Sequence, residues 1–175
     1  MKKRDILENQ ANIVYLALGS NLGNRILNLE LAKSLIISIG INILKISSYY
    51  KTESWPNKNF PYFLNFVILI NTNLELKELY KKIKIIEKVV GRTKAPKNYP
   101  RVCDIDIIDF NGINFSTKYK NNDIIVPHKS MHKRNFVLLP LFEINRNWIH
   151  PKFKKNIVNL VSKMSNLDLR CINLM

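Results

Sequence analysis

The order of elements legible in the chain predicts an α+β fold, an antiparallel sheet with helices packed on it. Three observations carry the prediction. Short apolar runs of strand length alternate with two longer stretches of helical spacing, in the order strand, helix, strand, strand, helix, strand. Clusters of Gly, Asn and Pro punctuate the joins. Apolar residues make up 46% of the 175, enough to bury a real core. That order is the ferredoxin-like split βαβ pattern, in αβα layers. The whole chain, 1–175, reads as a single domain with a C-terminal extension over 152–175.

Residues 1–11 are polar and read as a frayed lead-in. Ile13 to Leu18 is a first buried strand, and Gly19-Ser20-Asn21-Leu22-Gly23-Asn24 a turn of small residues that lets backbone pass close to a ligand. A helix follows over Arg25 to Ser38, with a stripe of Leu27, Leu31, Leu35 and Ile39 and a stop at Gly40. Ile41 to Lys51 reads as one strand, Thr52 to Pro61 as a loop, and Tyr62 to Asn71 as a central strand with Asn65 its polar interior residue. A buried amide there is either satisfied by the core or free to bind a ligand. Thr72 to Glu75 resembles a capping box for a second helix carrying Leu76, Leu79, Tyr80, Ile83 and Val90, with Glu87 on the same stripe. A polar loop is expected from Asn114 to about Asp123, then an apolar helix over Val137 to Ile144 interrupted by Pro140. Residues 154–165 suit a short helix, and the end adds an edge strand.

Composition narrows the function classes. Two cysteines make no disulfide framework, which fits a reducing compartment. No stretch reaches the roughly 20 apolar residues of a membrane span, and the first apolar run is too short for a signal peptide core. A cytoplasmic protein without a membrane partner is the expectation. The net charge of +15 fits nucleic acid, an anionic surface, phosphorylated small molecules or plain solvated lysine.

The segment with the most chemistry is Pro100-Arg101-Val102-Cys103-Asp104-Ile105-Asp106-Ile107. In a strand, Asp104 and Asp106 share one face, with Cα atoms roughly 6.5 Å apart, while Cys103, Ile105 and Ile107 take the other. Two such acids either face solvent or hold a cation between them. Mg²⁺ fits, because it is commonly bound by one or two carboxylates plus substrate phosphates. Arg92, Arg101, His128 and Arg134 supply the positive charge that a polyphosphate needs, and Phe63 and Phe136, near the same segments, are either core or able to sandwich a flat ring.

These residues resemble a known family. Leu18-Gly19-Ser20-Asn21-Leu22-Gly23-Asn24-Arg25, Phe63-Leu64-Asn65, Glu87 with Gly91-Arg92, Pro100-Arg101-x-x-Asp104-Ile105-Asp106 and Pro127-His128 through Arg134-Asn135-Phe136 together look like 6-hydroxymethyl-7,8-dihydropterin pyrophosphokinase. Ser54-Trp55-Pro56 and Trp148-Ile149-His150-Pro151 are similar to the family too.

The resemblance implies transfer of the β,γ-diphosphate of ATP to the pterin hydroxymethyl group, releasing AMP, in folate biosynthesis. It implies Asp104 and Asp106 as ligands of two Mg²⁺ ions. Arg92 and Arg101 would engage phosphates, the first on a mobile loop over 91–100. His128 and Arg134 would contact the nucleotide, with Glu87 and Ile107 alongside. Thr52, Phe63, Asn65 and Phe136 would form the pterin slot. It also suggests proximity to dihydropteroate synthase, the next enzyme of the pathway. Two other classes remain open. A basic nucleic-acid-binding module leaves Asp104 and Asp106 unexplained beside phosphate. A kinase transferring a single phosphoryl group would release ADP.

Overall fold

The computed structural model describes residues 11–54, 57–96, 98–120 and 122–175. All but the last residue of the expected lead-in, and the Trp-Pro pair at 55 and 56, lie outside the described residues. Five pairings, all antiparallel, build the main sheet. Its centre is β1 (Asn12–Ser20) against β4 (Phe63–Thr72), with β5 (Asp104–Phe110) on the far side of β1. The expected single strand over Ile41 to Lys51 is two. β2 (Asn42–Ile46) pairs with one end of β4, and β3 (Tyr50–Thr52) with the other. Between them Ser47 exchanges bonds with Val67, its N–H donating to the Val67 carbonyl at 2.9 Å and its Oγ accepting from the Val67 N–H at 3.0 Å. A side-chain oxygen in the ladder breaks the strand there.

Helix α1 (Arg25–Ser38) starts at Asn24, whose side chain accepts from the Leu27 N–H at 3.1 Å. Its buried face is Leu29, Ala32 and Ile36, not the expected stripe. Leu27 is 63% and Leu31 43% exposed, while Leu35 and Ile39 pack against the core edge. The helix is apolar nearly all round, so spacing alone did not select a face. Helix α2 (Leu76–Val90) buries Leu76, Leu79, Ile83, Ile86, Glu87 and Val90, and Gly91 ends it at a φ of 115°. Its cap lies three residues later than expected: the Glu75 N–H donates to Glu78 at 3.4 Å, while Thr72 Oγ1 accepts from the Leu74 N–H in a turn.

The expected loop from 114 to 123 is mostly a hairpin, β6 (Phe115–Tyr119) with β7 (Asn122–Val126). A 3₁₀ turn at Met131–Lys133 leads into α3 (Asn135–Ile144). That helix runs through Pro140 rather than breaking, at the expense of one backbone bond. Two short helices, α4 (Ile157–Val161) and α5 (Asn166–Arg170), precede β8 (Ile172–Leu174). The expected edge strand exists, and it pairs with β3.

The sheet has two different faces. One carries Leu16, Leu18, Phe66, Ile68, Cys103, Ile105 and Ile107 against α1 and α2. The other carries Tyr15, Val67 and Ile108 against α3, Trp148 and α4. These are the expected αβα layers. Asp104, Asp106 and Asn65 open on the second face, opposite Ile105, Ile107 and Phe66.

Candidate active site

Register places the site. Gly19 pairs with Asn65 on one side and with Asp104 on the other. The three lie in one row across adjacent strands, so Asp104 and Asn65 stand roughly 10 Å apart, with no side chain between them. Ala17 and Val67 line the next row beside Asp106. The Gly19 position has no room for more: a Cβ there would lie 2.6 Å from Asn65 Oδ1 and 3.5 Å from Phe63 Cδ1. Gly19 is the floor of a slot with carboxylates on one rim and an amide on the other.

The acid rim is ringed by cations. Arg92 donates to Asp104 Oδ1 at 2.6 Å, and Arg101 to Asp104 Oδ2 at 3.1 Å. Arg134 donates to Asp106 Oδ2 at 3.1 Å, and His128 Nε2 lies 3.9 Å from the same oxygen. Side chains of Asp104 and Asp106 remain 27% and 30% exposed, so they face the opening rather than the core. Burial works to raise the Asp104 pKa, but the Arg101 and Arg92 charges overcome it and hold this carboxyl below the usual value. Burial likewise pushes His128 below the ordinary imidazole value, against the pull of Asp106.

Glu87 lies beneath this rim, 2% exposed. One of its oxygens accepts from the Ile105 N–H at 2.8 Å and from Arg92, and Lys84 donates to both oxygens at 2.9–3.0 Å. Burial raises its pKa, with Lys84 and Arg92 opposing. A single buried carboxylate therefore ties α2, β5 and Arg92 together. It supports the site from below instead of lining it. Ile107 is not at the opening either: its side chain lies in the α1–α2 core, 7% exposed, on the face opposite the acids. Any part it plays in a nucleotide site falls to its backbone.

The amide rim is made by Asn65, whose Nδ2 donates to Thr52 Oγ1 at 2.8 Å; both residues are buried, at 6% and 3% exposure. This fixes the amide and leaves its oxygen over Gly19. Phe63 stands beside it, and Phe136 lies 5.5 Å beneath the Arg134 guanidinium. Arg92, Arg101, His128 and Arg134 are thus gathered on the acid pair, and Thr52 and Phe63 stand by Asn65; Phe136 lies against Arg134, Glu87 beneath the acids and Ile107 on the opposite face.

Two residues do more than the sequence disclosed. Gly19 stood out only as part of a turn. Asn21, 1% exposed, exchanges bonds with Arg101, donating its N–H to the Arg101 carbonyl and accepting from the Arg101 N–H at 2.7 Å. Its Nδ2 reaches Ser54 Oγ and the Pro61 carbonyl, both at 3.2 Å. It clamps the β1 turn, the loop after β3 and the approach to β5. The only trace of this in the sequence is a polar residue among small ones.

The donor set suits a hard divalent cation: two carboxylates on one face of a strand, both part-exposed. Among the described residues no group of three His, Cys, Asp or Glu side chains gathers there. A cation held by Asp104 and Asp106 would complete its shell from water or from a ligand's oxygens. Guanidinium groups released from the acids would then be free to meet an anion.

Comparison with known proteins agrees with this chemistry. The family model for 7,8-dihydro-6-hydroxymethylpterin-pyrophosphokinase matches residues 15–146. The chain is 42% identical over 142 residues to the 2-amino-4-hydroxy-6-hydroxymethyldihydropteridine pyrophosphokinase of Aquifex aeolicus, covering 81% of this chain and 86% of that one. It is 33% identical over 171 residues to folic acid synthesis protein fol1 of Pneumocystis carinii, covering 97% of this chain but 22% of that longer protein. The crystal structure of wild-type HPPK-DHPS from Plasmodium falciparum superposes with a TM-score of 0.73 at 19% identity, over 90% of this chain and 45% of that one, a likeness of fold. The class these matches define is a diphosphotransferase enzyme. The chain belongs to the 7,8-dihydro-6-hydroxymethylpterin-pyrophosphokinase family.

Proposed function

We propose that this chain transfers the β,γ-diphosphate of ATP to the hydroxymethyl group of 6-hydroxymethyl-7,8-dihydropterin. The hydroxymethyl oxygen bonds to the β-phosphorus and gives up its proton. The bridge between the α- and β-phosphates breaks, and AMP leaves with the bridging oxygen. The observation that carries this reading is the row Asp104–Gly19–Asn65, which sets a cation-ringed acid pair one empty position away from a fixed, buried amide.

In this reading Asn65 and Thr52 hydrogen-bond the pterin edge, while Phe63 and Phe136 flank its ring. Asp104 and Asp106 hold two Mg²⁺ ions, which neutralise the triphosphate when bound. Arg92 and Arg101 pass from Asp104 to the transferring phosphates, and Arg134 and His128 serve the nucleotide. Glu87 holds Arg92 and the β5 backbone in place. No described side chain stands out as a strong base, so positioning and charge neutralisation supply the rate, as phosphoryl transfer permits. The chain spans a small part of relatives such as the fol1 protein, and others are named folate synthesis bifunctional proteins, which supports work near dihydropteroate synthase. No described helix is long and apolar enough to cross a membrane, which is consistent with a cytoplasmic setting.

The deciding experiment incubates the protein with Mg²⁺, ATP and the reduced pterin and resolves the nucleotides formed. AMP in step with pterin diphosphate is the expected result. ADP in its place would make this a single-phosphoryl kinase, and no turnover alongside salt-sensitive RNA binding would return the charge to a nucleic-acid role.

A further inference from the structure

The segment from Ser165 to Met175 lies beyond the residues that the family model matches, 15–146, yet it touches both β3 and the start of α3. On one side, β8 pairs with β3, setting Ile172 opposite Thr52 and Leu174 opposite Tyr50. Strand β3 has only three residues, and β4 alone would leave it an edge. Ile172 is 8% exposed and shares a face with Thr52, the partner of Asn65. The Met175 N–H extends the seam, donating to the Tyr49 carbonyl at 2.9 Å.

On the other side, Asn135 Nδ2 donates to the Asp168 carbonyl at 2.6 Å, while Asn135 Oδ1 accepts from the Phe136 N–H at 2.7 Å. Asn135 thus links the tail to the residue that carries the second ring of the slot. Helix α5 between the two contacts is closed by its own cap. Ser165 Oγ donates to Asp168 at 2.7 Å and accepts from the Asp168 N–H at 3.1 Å. The tail is a short strap, anchored at β3 and at the start of α3. Those are the two elements that supply Thr52 and Phe136.

We infer that residues 165–175 are a positioning element for the pterin end of the site, setting the separation of Thr52 from Phe136 and leaving the nucleotide end unaffected. The inference rests on the pyrophosphokinase reading above. The nucleotide end has its own supports, Glu87 and Asn21, which the tail does not touch in any bond described here.

Steady-state kinetics on the full chain, varying each substrate, test this. Asn135→Asp is the discriminating variant. It keeps an oxygen for the Phe136 N–H and removes the donor to Asp168. The KM for the pterin is expected to rise about fivefold to tenfold, with the KM for ATP within about twofold of wild type. Asn135→Ala should match it. Ile172→Asp, which sets a charge opposite Thr52, should show the same split, and Ile172→Val should restore wild-type behaviour. If Ile172→Asp does not fold, Asn135→Asp decides alone. An unmoved pterin KM in Asn135→Asp overturns the proposal. So does a parallel rise of both constants with a lowered melting temperature, which would make the tail a general stabiliser. Failure of the wild-type chain to release AMP is a different result: it removes the pyrophosphokinase reading and this inference with it.

Discussion

The two ends of β5 carry the same residue in different physical settings. At the start, Asp104 and Asp106 are part-exposed and held by guanidinium groups. At the other end Asp109 is 2% exposed and is met by neutral donors, the Trp148 indole N–H at 2.7 Å and the Gly112 N–H at 3.0 Å. Cationic neighbours hold the Asp104 pKa down, whereas burial pushes that of Asp109 up. Simple alternation would have put Asp109 on the α1–α2 face with Ile105 and Ile107. A bulge prevents this: Leu16 pairs with Ile107 and Tyr15 with Asp109, so Ile108 is the extra residue. The strand thus carries an arginine-held, part-exposed pair at its open end and a structural acid where α3 and Trp148 close the core. What separates site from scaffold is the kind of donor each carboxylate meets.

The sharpest way to break that comparison is to neutralise the acids at the open end. Asp104→Asn and Asp106→Asn are each expected to lower kcat by about 100-fold or more, through lost metal and phosphate neutralisation. Circular dichroism and melting should stay near wild type, because the removed charges are part-exposed. Near-normal turnover in either variant would mean that the pair holds no cation. Gly19→Ala comes next. Its Cβ would meet Asn65 Oδ1 at 2.6 Å, so the amide must turn away from Thr52 or the strands must shift. The pterin KM should rise about tenfold, more than that for ATP. Equal rises in both would place the effect in the fold, not in the slot.

The sequence disclosed some of this and hid the rest for physical reasons. Strand and helix order followed from local spacing, so the α+β frame, the two carboxylates and the edge strand at the end could be read directly. Nonlocal choices could not. Helix α1 offers apolar residues on every side, and only the sheet selects Leu29, Ala32 and Ile36. The split between β2 and β3 depends on Ser47 finding Val67 on another strand. The β6–β7 hairpin turns near Lys120, at a φ of 52°, without the glycine that would have signalled it. In the site, residue types announced the chemistry, but Gly19 and Asn21 gain their meaning from register: Gly19 from lying between Asp104 and Asn65, Asn21 from reaching Arg101.

The smallest expected effect tests the closed end of β5. Burial favours the protonated form of Asp109 and raises its pKa above the ordinary 3.8, while the Trp148 and Gly112 donors oppose this only in part. The folded protein therefore holds this proton more tightly than the unfolded chain. The stability that follows is complete below the ordinary carboxyl pKa and is lost as pH rises through the raised value. Asp109→Asn cannot titrate, and it keeps an oxygen for only one of the two donors. That second change is a constant offset at every pH. Melting temperatures of both proteins across roughly pH 3 to 7 separate the two contributions. The difference, variant minus wild type, should drift in favour of the variant as pH rises, while kcat stays within about twofold of wild type. A difference flat with pH would show that Asp109 titrates alike folded and unfolded. A large loss of kcat would extend the reactive end of β5 to its third acid and dissolve the contrast between the two ends.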